Sequence, residues 1–291
     1  MILDKATLLR ISSQFCDESE SNFVPTELAL RPELAGMRIY SYPLLAAADA
    51  DDPVFERLRE PGIIGPHFMP PGEWLPGARS VISLFLPFTD TVKQANSREA
   101  VETPAEWLHG RIEGQAMLNA LICRLRDVIQ AEGHSCVIPF FDERFWSSGR
   151  PAGPGKEGGP SRPGFTSNWS ERHAAYAAGL GTFGLSRALI TEKGSAGRFC
   201  SMITTLPLEP DRRAYTRHDE YCSLCGACAR KCPAGAISLR DGKSQEICGA
   251  FVDGTMKKYA PRYGCGKCNV GVPCESGIPR GASASRGAPA K

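Results

Sequence analysis

The chain has 291 residues, 42% of them hydrophobic and 23% charged, with a formal net charge of only +2. That is the composition of an ordinary soluble globular protein with room for one large and one small domain, and it supplies no global basic field for nucleic acid. Asp4 and Lys5 would interrupt a secretory core, and the apolar run at 81–88 is far too short to span a membrane, so a cytoplasmic, reducing setting is expected.

In chain order, residues 3–15 carry helical periodicity. Residues 80–86 read as a buried strand, entered from the Pro76-Gly77 turn and closed by Pro87. Between 106 and 130, Leu108, Ile112, Leu118, Leu121, Ile122, Leu125 and Ile129 repeat at helical steps, and Glu132-Gly133 ends the element. A second strand is expected at 136–141. Residues 149–164, dense in Gly and Pro, can hold no regular element and read as a functional lid or a disordered insert. Ser170 then caps a short helix with Glu171 in its first turn and an alanine-rich body at 172–178. Strands at 189–190 and 199–206 flank a turn at 193–197. Cys16, Cys123 and Cys200 are expected to be structural, and the residues from Gly281 onward form a disordered tail. The expected domains are 1–215, 216–280 and the tail 281–291.

Eight of the 12 cysteines lie between Cys222 and Cys274. The first four are spaced C-x2-C-x2-C-x3-C-P at Cys222, Cys225, Cys228 and Cys232, the bacterial ferredoxin run for a [4Fe–4S] cluster. In that run the fourth thiolate serves a second cluster, and Cys248, Cys265, Cys268 and Cys274 supply the remaining ligands. The expected split gives Cys222, Cys225, Cys228 and Cys274 to one cluster and Cys232, Cys248, Cys265 and Cys268 to the other. Zinc ribbons space their cysteine pairs differently, and disulfide frameworks belong to small secreted chains.

Gly179, Gly181 and Gly184 match G-x-G-x-x-G, but a dinucleotide fingerprint needs a strand before it and a helix after it. Here an alanine-rich helix precedes. The better reading makes Gly179 a left-handed helix cap, with Gly181 and Gly184 letting the backbone pass close to a neighbouring strand or a flat cofactor.

The stretch from Ser170 to Gly184, with its E-R-x-x-A-x-x-A-G-L-G-x-x-G pattern at Glu171 to Gly184, resembles the epoxyqueuosine reductase family. The two strands and eight cysteines follow in that family's order. The resemblance, shared with the reductive dehalogenases, implies a nitroreductase-like α/β (α+β) domain followed by a small ferredoxin-like two-[4Fe–4S] domain. It also implies a base-off cobalamin beside the clusters. Gly179, Gly181, Gly184 and Trp169 are then the candidate corrin contacts, burial being the default for Trp169.

Three departures matter. The family's proton-donating aspartate is replaced by Phe165; the last cysteine is spaced Cys268-x5-Cys274 and followed by Glu275; and no helical-repeat extension follows. Candidate donors are therefore Tyr176 and His173, with Asp142 and Glu143 behind them. Glu171 and Arg172 are expected to join a first-turn charge to an internal salt bridge.

The function expected is an iron–sulfur oxidoreductase relaying electrons through two clusters to a cobalamin that reduces a small molecule. The alternatives are an electron carrier without corrinoid and an epoxyqueuosine reductase acting on tRNA. A ferredoxin or flavodoxin is the expected electron donor, and no nucleic acid or membrane partner is expected.

Overall fold

A strand buried at every position needs helices on both of its faces, and residues 80–87 impose that requirement on the whole domain. The computed structural model describes residues 3–148 and 165–282. The insert expected at 149–164 and all of the tail beyond 282 lie outside the described residues. The first half contains α1 (Lys5–Glu18), β1 (Leu44–Asp49), α2 (Pro53–Arg57), α3 (Pro71–Trp74), β2 (Ser80–Pro87), α4 (Asp90–Arg98), α5 (Ala105–Ala131) and β3 (Cys136–Val137). Then come α6 (Glu171–Ala177), β4 (Gly181–Phe183), β5 (Leu189–Thr191) and β6 (Gly197–Thr204). The cysteine-rich part holds α7 (Ala227–Arg230), β7 (Ile237–Ser238), β8 (Gly242–Lys243) and α8 (Gln245–Tyr259).

The main sheet runs β1-β2-β6-β3 with every neighbouring pair antiparallel. Alternation along β2 sends Ile82, Leu84 and Leu86 to one face, where Leu8, Met117, Leu121 and Leu125 of α1 and α5 cover them. Val81 faces the other way, into a core of Phe55, Phe68, Trp74, Trp169 and the alanines of α6. The alanines let α6 lie close on the sheet. Cys16 and Cys200 are buried in the first core, and Cys123 packs against it.

The expected strand at 136–141 is cut short. Pro139 has no N–H for the ladder, so the chain turns into a 3-10 helix, Pro139–Phe141. Among the elements the sequence did not reveal, β1 and β4 bear on the site. β1 reads Leu-Leu-Ala-Ala-Ala-Asp, poor in β-branched residues, and is held as a strand by its register with β2. β4 follows α6 at once: Gly179 at φ +91° ends the helix, and the Leu180 N–H donates to the Ala175 carbonyl at 3.0 Å, a Schellman closure. Among the described residues no helix is long and apolar enough to cross a membrane.

Candidate functional site

The loop from Cys222 to Cys228 is curled by two left-handed residues, Leu224 at φ 51° and Gly226 at φ 70°, the latter opening α7. The curl brings Cys222, Cys225 and Cys228 onto the wall of one cavity. Cys274 returns from later in the chain to complete the wall, and Gly184, Leu185 and Ile190 close it from the β4–β5 hairpin. The Leu185 N–H donates to Cys222 Sγ at 3.4 Å, and the Ser195 N–H holds the Cys274 carbonyl at 2.9 Å. The longer Cys268-to-Cys274 spacing has a local explanation: the Glu275 carboxylate accepts the Gly271 N–H at 2.5 Å and ties the loop off.

Cys232, Cys248, Cys265 and Cys268 form an inner group. Cys268 is acted on by Cys248 and Cys232, and Cys265 by Cys268 and Cys248. The Ala236 N–H donates to Cys232 Sγ at 3.3 Å. The loop 264–268 is fixed on α4 and α5. Asn96 Nδ2 donates to the Cys265 carbonyl at 2.8 Å, and Thr103 Oγ1 to that of Gly264 at 2.7 Å. Gly266, at φ +70°, lies so close under Trp107 that a Cβ there would come within 1.8 Å of its ring. Between the two cysteines Lys267 is 1% exposed and donates to Asn96 O at 2.9 Å and to Asn96 Oδ1 at 2.7 Å.

Burial, reinforced by neighbouring thiols, pushes the Cys228 thiol up to about 12, and burial pushes Cys265 and Cys274 up to about 11. Thiolates in such surroundings need a bound cationic centre, and all-thiol sets select zinc or iron–sulfur clusters. Among the described residues no three His, Cys, Asp or Glu side chains converge closely enough for a single metal ion. Four of the thiols line one cavity, an arrangement that fits a polynuclear cluster.

The 4Fe–4S binding domain family matches residues 215–238. A tetrachloroethene reductive dehalogenase from Desulfitobacterium hafniense is 45% identical over 65 residues, 22% of this chain and 12% of that protein. In fold, the chain is similar to a variant of a catabolic reductive dehalogenase, with a TM-score of 0.50 and 15% identity over 83% of this chain and 31% of the other. A selenomethionine-labelled epoxyqueuosine reductase gives a TM-score of 0.49 and 22% identity, covering 81% of this chain and 62% of that one. The chain thus matches less than two thirds of the length of each.

Two of the glycines after α6 serve the β4–β5 hairpin. A Cβ on Gly181 would lie 2.0 Å from the Ile190 carbonyl across the β4–β5 pair, and one on Gly184 would meet the Ile190 side chain at 3.1 Å. Of the two readings of Gly181, the bulk it accommodates is the neighbouring strand. Gly179 is a helix cap. Trp169 takes its default, burial. It is 2% exposed, packed among Phe55, Phe68 and Trp74, and its indole N–H donates to Ser201 Oγ at 2.9 Å. Gly181→Val is expected to force the hairpin apart, lowering stability by about 3 kcal/mol and lowering iron content with it. Wild-type thermal stability with full iron would refute that.

At the start of α6 the structure revises the other expectations. Ser201 Oγ donates to Glu171 Oε2 at 2.5 Å, and burial pushes the Glu171 carboxyl up to about 8 against that hydrogen bond. Glu171 therefore holds a proton at neutral pH in place of the expected salt bridge. Its position in a first helical turn gave no signal of this, because the desolvating atoms come from β2 and β6 and from the core around Trp169. Arg172 reaches solvent, yet the protein around it depresses its guanidinium below the ordinary value, opposed by Cys268 and Cys248. Its guanidinium donates to the Arg187 carbonyl at 2.6 Å and lies beside the inner thiols Cys268 and Cys248. Phe165, 50% exposed, lies over Gly249, next to Cys248. Burial, aided by Arg172, holds His173 at about 4, so it is neutral and bonded to Ser170 Oγ at 2.8 Å. That removes it as an acid at neutral pH. Tyr176 packs against Phe183 and Tyr215 on the helix face. Asp142 is engaged by Arg144 at 2.7 Å.

Proposed function

We propose that the chain is an iron–sulfur oxidoreductase in which a nitroreductase-like α/β domain, residues 1–215, carries a ferredoxin-like domain, 216–280, holding two [4Fe–4S] clusters. Cys222, Cys225, Cys228 and Cys274 hold the outer cluster; Cys232, Cys248, Cys265 and Cys268 hold the inner one. The observation that supports this reading is the cavity lined by Cys222, Cys225, Cys228 and Cys274, with Cys232, Cys248 and Cys268 acting on one another beside Arg172. Each cluster supplies one-electron transfer when bound.

Electrons enter at the exposed Cys225 side from a ferredoxin or flavodoxin and leave beside α6 for the reduction of a small molecule. The exposed Arg172 would orient a negatively charged group beside the inner thiols. The proton on Glu171, at Oε1 or Oε2, is the acid that replaces the aspartate missing at Phe165. Gly181 and Gly184 meet Ile190 and Trp169 is buried, so the exposed side chains of Arg172 and Phe165 are the position proposed for cobalamin, which when bound supplies a strongly reducing metal centre.

Phe165 favours a second reading, an electron carrier without corrinoid. A visible spectrum of the anaerobic protein after incubation with cobalamin and gel filtration separates the two. Corrinoid bands at one equivalent per chain, weakened in Arg172→Ala, are expected. Broad cluster absorbance alone would leave the carrier reading in front.

A further inference from the structure

The cations beside the two thiol groups differ in burial. Beside the outer set Arg230 donates to the Cys225 carbonyl at 3.1 Å but is exposed, and the groups acting on Cys228 and Cys274 are other thiols and the Ser195 hydroxyl. The inner set faces cations: Lys267 at Cys265, Lys243 at Cys268, and Arg172 at both Cys248 and Cys268. Lys267 differs from the other two in being wholly buried. Its ammonium is held by two oxygens of Asn96, both neutral, and Asn96 itself is fully buried with its Nδ2 on the Cys265 carbonyl. Among the described residues no carboxylate lies within ion-pair distance of it. Glu102, which acts on it from further off, is engaged by Lys258 at 2.5 Å and by Tyr259, and Glu99 is exposed.

A buried ammonium without a counter-ion is among the costliest groups a fold can carry. Its nearest anionic partner is the thiolate set in whose loop it sits.

We propose that Lys267 is the charge partner of the inner cluster and sets that cluster at a higher reduction potential than the outer one. The inference rests on the two-cluster reading given above. Adding an electron makes a thiolate-bound cluster more negative, and a fixed positive charge in a site closed to water favours the reduced form. A low-potential one-electron donor thus gives one electron to the outer cluster. That electron passes to the inner cluster, which stays reduced while the outer returns to its oxidised state; no bond or proton moves. The buried charge gives the relay a direction, inward from the exposed Cys225 toward Arg172.

The test is a potentiometric titration of the anaerobic full-length protein followed by EPR, after iron analysis. Two reduction steps are expected in the wild type, and the step that survives in Cys274→Ala belongs to the inner cluster. Lys267→Met should lower the inner potential so that its reduction constant falls at least tenfold, 59 mV for a one-electron couple, with the outer step unmoved. Lys267→Arg should stay within a factor of three of the wild type. Asn96→Asp, which pairs the ammonium without removing it, should shift the inner step in the same direction as Lys267→Met and serves if that variant loads no iron. Two clusters with an inner potential indifferent to both Lys267→Met and Asn96→Asp would overturn the proposal while leaving the two-cluster reading intact. About four iron atoms per wild-type chain would instead overturn that reading, and this inference with it.

Discussion

Replacing Cys274 with alanine is expected to remove one cluster and spare the other. Anaerobic wild-type protein should contain about eight iron and eight sulfide per chain, and the variant about four of each. The reason lies in the cavity wall, where Cys274 completes the ring begun by Cys222, Cys225 and Cys228 and is positioned by Ser195 of the turn before β6. Cys248→Ala should give the complementary loss, because that residue borders Cys265 and Cys268. Retention of all iron in Cys274→Ala, or loss of the inner cluster's EPR signal in place of the outer one's, would show that the thiols are partitioned differently.

Arg262→Met is expected to destabilise the protein by roughly 3–5 kcal/mol at pH 7, the cost of leaving a buried carboxylate unpaired. Arg262 sits three residues before Cys265, and its guanidinium grips Glu113 of α5 at 2.5 and 2.6 Å. The Leu30 N–H donates to His109 Nε2 at 3.1 Å, which leaves the proton on Nδ1 to be donated to Glu113 Oε2 at 2.9 Å. Burial pushes the Glu113 carboxyl up, but the hydrogen bonds from His109 and Arg262 outweigh it and hold it down at about 2. A depressed carboxylate contributes stability that is complete above its ordinary pKa of 4.5 and fades as pH falls toward 2. Integrated over that window the contribution is on the order of 3 kcal/mol. Urea unfolding at pH 7 and at pH 3.5 should therefore show the gap between wild type and Glu113→Gln narrowing at the lower pH. A gap of constant size would remove Glu113 as its source. Glu171 acts in the opposite sense: its pKa of about 8 means that stability declines as pH rises from 4.5 to 8.

The parts of this protein legible in its sequence are those governed by neighbours along the chain. Helical spacing placed the long helix at 106–130, and it is observed as Ala105–Ala131. A continuous apolar run placed the central strand at 80–86, and it is observed as Ser80–Pro87. The ferredoxin run depends on steps of three residues within one loop, so its chemistry could be read directly. What depends on contacts across the fold could not. Gly181 is small because Ile190 lies opposite in a strand pair, and Trp169 is buried because α2, α3 and the loop before α6 meet around it. The carboxyl of Glu171 keeps its proton because a helix end, a sheet and an aromatic core exclude water from it together. Lys267 reads in the sequence as one more charged residue between two cysteines; only the packing of α4 beneath its loop makes it a buried cation. Spacing along the chain selects a metal's ligands, but the desolvation that tunes acids, bases and potentials is the sum of atoms brought from distant segments, and the tertiary structure alone decides it.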